Sequence, residues 1–144
     1  MLIRKIDWQG LLDGFFTERR NMPFSYGSQD CALFACDAIQ VMTAVDIAHE
    51  FRGEYRTRKS AMEAARRITG KPTIRAIVEH VTGNFTMPTI QTTMLQRGDV
   101  ALIQRGTRDH SLGIVSLTGR MLIVPVKDGT TEVPLSLALT GWRV

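Results

Sequence analysis

Cysteine is among the few side chains that can act as a nucleophile, and this 144-residue chain has two, Cys31 and Cys36. Cys31 stands in YGSQDCALFACDA (26–38), where a glycine turn and an acidic residue give way to an apolar run. A thiol on the first turn of a helix faces unpaired amides and the positive end of the macrodipole, which predicts a lowered pKa. Packing inside a core is the alternative for so small a side chain. Cys36, mid-helix among Ala32, Leu33 and Ile39, reads as core. Five residues apart at about 100° per residue, the two cysteines point about 140° away from each other, which argues against a disulfide or a shared metal. There is no paired CxxC spacing, and the three histidines are scattered, so no metal or other cofactor is expected. A working thiol also needs a base. His110 falls at the edge of a strand-like stretch, whereas His49 sits in an irregular connection and His80 in a helical one.

The elements that must position these groups can be read from periodicity. Trp8, Leu11, Leu12, Phe15 and Phe16 repeat at helical spacing behind Asp7, which predicts a first helix capped by that residue. A second helix over about 31–43 follows with Asp30 or Ser28 as cap, and its face of Cys31, Phe34, Ala35, Ala38, Ile39 and Met42 must dock on a sheet. Residues 46–59 read as a long connection. Ser60 and Glu63 suggest a capping box for a third helix ending at Gly70, and Thr73 and Gly83 bracket a short fourth. Beyond Gly83 the period changes. DVALIQ, SLGIVSL and RMLIVPV read as strands, with Thr118–Gly119 a tight hairpin, and GTTEVPL and TGWRV as two further short strands. Helices followed by strands give an α+β class, with N-terminal helices packed on one face of a small antiparallel sheet.

Length predicts a single domain over 1–144. No apolar run approaches the ~20 residues of a membrane span, and MLIRKIDWQG has no apolar segment of the kind a secretory signal carries. The net charge of +4 is concentrated between Arg52 and Arg75. That stretch lacks the interleaved aromatics of single-strand binding, so it reads as a solvated helix face or a docking surface for an acidic partner, and no nucleic acid is expected.

YGSQDC (26–31), RGDVALI (97–103) and SLGIV (111–115), in this order, resemble the NlpC-type branch of papain-like cysteine peptidases. DCALFACDA near the start and GWRV at the end resemble more narrowly a subfamily found among phage and prophage tail genes. The resemblance implies a papain-like fold with Cys31 as nucleophile, its amide contributing to an oxyanion hole, and a cell-wall peptidase ancestry directed at peptidoglycan stem peptides. It also implies tail hub or other tail-tip proteins as partners. The expected location is the host cytoplasm during assembly and the virion tail afterwards.

Against that pattern, Ser111 occupies the position of the family's histidine, and His110 lies one residue early. Alternation along a strand turns neighbours to opposite faces unless a bulge intervenes, and the face shared by Ser111, Gly113 and Val115 is expected to meet Cys31. Pro125 and its flanking valines offer no group to orient a histidine, and Ala32-Leu33 replaces the usual Ser-Gly. The expectation is a tail-tip protein with a degenerate peptidase site. An active Cys31–His110 peptidase acting during genome delivery is the alternative.

Overall fold

The computed structural model describes residues 2–107 and 109–144. Its helices are α1 (Trp8–Arg19), α2 (Cys31–Thr43), α3 (Arg58–Thr69) and α4 (Ile74–Asn84). Six strands follow: β1 (Thr89–Ile90), β2 (Val100–Arg105), β3 (Asp109–Val115), β4 (Met121–Val126), β5 (Gly129–Pro134) and β6 (Ala138–Trp142). They form one antiparallel sheet in the order β1-β6-β2-β3-β4-β5. Among the described residues no helix is long and apolar enough to cross a membrane.

Both faces of the sheet are covered. On one, Val100, Leu102, Leu112, Ile114 and Trp142 pack against Phe34, Ala38, Ile39 and Met42 of α2, with α1 and α4 beside it. On the other, β4 and β5 enclose a smaller core of Ala101, Ile103, Val115, Leu122 and Val124. α2 is buried nearly all round, leaving only Asp37, Gln40 and Val41 partly or fully open to solvent. Ala35 and Ala38, 2% and 0% exposed, permit the close approach to β3.

Several boundaries differ from the periodicity reading. Asp7 precedes α1, but its side chain makes no capping hydrogen bond. α3 begins two residues before Ser60, and the capping box is Thr57 with Ser60, because a serine at the third helical position can return the bond that Glu63 was expected to supply. Gly83 lies inside the last turn of α4 rather than ending it. The Thr118–Gly119 hairpin is wider than a two-residue turn: Ser116 donates to Met121 O at 2.8 Å, and Gly119 takes a φ of 75° within the loop. β1 has only two residues, too few for any periodic signal. β3 starts at Asp109, which takes His110 into the strand.

A buried carboxylate ties the two chain ends to the sheet. Asp99, 0% exposed, meets Arg4 at 3.0 Å and Arg143 at 3.1 Å and accepts the amides of Gln96 and Val144. Arg4 also donates to Val144 O at 3.0 Å. This clasp sits where the chain enters β2, and Arg105 marks the opposite end of the same strand.

Candidate functional site

The start of α2 is fixed by a tight turn. Ser28 donates to Ser25 O, and Gly27 has a φ of 90° with a Cβ position already filled by the Tyr55 carbonyl, so only glycine fits. Asp30 caps the helix from extended backbone and is 4% exposed. Its oxygens accept from Leu33 N at 2.9 Å, Gly27 N at 2.9 Å and the Tyr55 hydroxyl at 2.7 Å. With three donors satisfied, the carboxylate holds the turn, the helix and residue 55 together.

Cys31 follows at 9% exposure. The expected lowered pKa is not what its surroundings produce. Burial, reinforced by the negative charge of Asp30, pushes the thiol up, while the Leu112 backbone, the Ser111 hydroxyl and the Arg105 charge pull it down less strongly. Desolvation of the anion thus outweighs these three together, and the group rests as a neutral thiol. Cys36 is likewise pushed up by burial and by Asp37, in keeping with its reading as core. Both cysteines are free.

The thiol does lie beside the SLGI segment, through Ser111 and Leu112. The face assignment, however, is reversed along most of β3. Leu112 and Ile114 meet α2, while Val115 joins the smaller core and a Cβ on Gly113 would stand 2.8 Å from Val124 Cγ1. Ser111 nevertheless reaches the sulfur from the start of the strand. β3 pairs with β4 only at Ile114 and Val115, so its first half has β2 as its sole described partner and leaves room for the start of α2. His110 is half-buried at the start of this stretch. It lines the same cleft as Cys31 and Ser111, and no described hydrogen bond orients its ring.

His49 and His80 lie elsewhere. His80 Nε2 stands 3.2 Å from Glu50 with its ring edge-on to Phe51, and His49 packs edge-on against Phe85. Pro125 offers its carbonyl, which accepts from Arg105 at 3.1 Å. Arg105 is the contributor that the sequence reading missed. It ends a strand, and only the β2–β3 register, which sets it opposite Asp109, carries it to the cleft.

The cleft itself measures about 720 Å³, within the ~300–1,000 Å³ of ordinary ligand sites. One wall is α3 and the first turn of α4, the other the β2–β3 end with Arg105 and His110, and Cys31 sits between them. Among the described residues no group of three or more His, Cys, Asp or Glu converges on a point where a metal could be held. The arrangement can bind; for proton transfer it offers Ser111 against the sulfur and an imidazole nearby.

No curated protein matches the sequence. A family model described as a domain of unknown function, DUF6950, matches residues 3–144, and the chain therefore belongs to that family.

Proposed function

We infer that the chain is a papain-like, NlpC-type domain of a phage or prophage tail tip, whose cleft serves binding and assembly and no longer cleaves peptide bonds. The observation that carries this reading is the identity of the group beside the buried thiol: Ser111, a hydroxyl with no capacity to accept the proton at neutral pH. Loss of a general base typically costs about 10²–10⁴ in rate, and a thiol whose own pKa is raised adds to that deficit. The tail-tip setting comes from the sequence resemblance, and the partners it suggests are hub or neighbouring tail-tip proteins.

The test has two arms. Purified protein incubated with murein sacculi is expected to release no stem-peptide fragments by mass spectrometry, and phage lacking the chain are expected to assemble defective tails. Normal tails without it would remove the assembly role.

An active peptidase is the second reading, favoured by the presence of His110 in the same cleft as Cys31. There the imidazole takes the thiol proton, the thiolate attacks the scissile carbonyl, the C–N bond breaks as the proton passes to the leaving amine, and water hydrolyses the resulting thioester to restore the thiol. Fragment release abolished by both Cys31→Ala and His110→Ala would establish it.

A further inference from the structure

We propose that the cleft takes a carboxylate-rich segment of a protein partner, held between the basic side chains of α3, α4 and β2. This rests on the reading of the cleft as a binding site and adds the chemistry of its occupant. Arg58, Lys71, Arg75 and Arg105 all line it. Arg58 reaches Asp109 only at 3.7 Å and Arg75 reaches Glu79 only at 3.8 Å, both between well-exposed side chains. Such pairs are held weakly in water, so an incoming carboxylate displaces them at little cost. Lys71 and Arg105 have no carboxylate partner among the described ion pairs. Asp30 is the one acid deep in the cleft, and its three internal donors already occupy it. Glu79 and Asp109 line the rim, so four cations face three carboxylates and the unbalanced charge is positive.

The surface between the cations fits a polypeptide. Met62 is 41% exposed, and Ile74 and Ile77 are half-buried along the α3–α4 wall. Methionine, aromatic and arginine side chains are the types enriched at protein interfaces. Phe24 and Tyr26 pack edge to face on each other, with centroids 5.0 Å apart. They give apolar area to a side chain but no flat ring stack of the kind single-stranded nucleic acid needs.

Fluorescence anisotropy with a labelled peptide of alternating Glu and Tyr tests this on the full chain. Saturable binding is expected, with the Gln-for-Glu peptide weaker by about ten-fold or more, as expected when charge supplies the recognition. Lys71→Glu, on an exposed side chain, should weaken binding by a similar factor, while Lys127→Glu, outside the cleft, leaves it unchanged. Arg105→Glu should also weaken it, but Arg105 bonds to Pro125 O, so the Lys71 variant decides. The proposal is overturned by no binding, by equal binding of the Gln peptide, by equal effects at Lys71 and Lys127, or by a single-stranded oligonucleotide that competes as well as the peptide. Failure here without murein cleavage removes only the occupant; murein cleavage removes the binding-only reading itself, whatever the peptide does.

Discussion

Replacing Asp30 with alanine removes the acceptor for three donors at once, two of them in buried hydrogen bonds and the third, Gly27 N, partly buried. The lost helix cap costs about 1 kcal/mol. The Gly27 amide and Tyr55 hydroxyl, left unpaired, cost about 1–3 kcal/mol each where water cannot reach them. With partial rescue by water, the total is about 3–5 kcal/mol, a large share of the ~5–15 kcal/mol that holds a domain together. In urea, with a slope of about 2 kcal/mol/M, the unfolding midpoint should fall by roughly 2 M. Asp30→Asn, which keeps one acceptor oxygen, should lie between. Tyr55→Phe should cost about 1.5–3 kcal/mol as the loss of a hydrogen bond to a charged group. The double variant should cost less than the sum by about 1–2 kcal/mol, because the Tyr55 bond is removed only once. A loss below about 1 kcal/mol for Asp30→Ala, or strict additivity with Tyr55→Phe, would refute the claim that this carboxylate organises the site.

The thiols make a pH prediction. Because burial raises both Cys31 and Cys36, the folded state keeps protons that the unfolded chain releases from about pH 8.5. Stability is therefore full below that value and should decline as pH rises above it, with less decline in Cys36→Ala; a flat urea midpoint between neutral and alkaline pH would contradict the burial argument. Alkylation of Cys31 by iodoacetamide, followed by peptide mass spectrometry, should be about ten-fold or more slower at pH 7 than that of a free cysteine, and a rate equal to the free thiol would count against a neutral buried group. Gly113→Ala forces a methyl to 2.8 Å from Val124 Cγ1 and 3.2 Å from Ile123 O, and should cost about 1–3 kcal/mol by urea unfolding. Asp99→Ala leaves Arg4 and Arg143 without their carboxylate, and a loss of about 2–4 kcal/mol is expected, below the full figure for a buried pair because both guanidiniums are partly solvated.

The long periodic segments were readable because hydrophobic spacing reports burial directly: α2 begins at Cys31 and ends at Thr43 as its apolar face predicts. Asp30 was legible as a cap for the same local reason. What escaped depended on residues distant in sequence. The Tyr55 hydroxyl that completes Asp30's coordination comes from 25 positions away, and Arg105 reaches the cleft through strand register. The face assignment on β3 holds at Ser111, which meets Cys31, but not at Gly113 and Val115, because both sides of that strand are buried and alternation offers no polar side to identify the outward one. The lowered thiol pKa failed because a helix start predicts the dipole but says nothing about how deeply the sulfur lies.

The clasp around Asp99 has a mechanical consequence. Arg4 and Arg143 grip one carboxylate from opposite ends of the chain, so tension applied through those residues is shared between neighbouring anchors before any of it crosses the strands. Arg105 and the cleft stand at the far end of β2, away from that load path. A pull on Arg4 or Arg143 loads the clasp first, and the recess that would hold a guest lies a strand's length away from it.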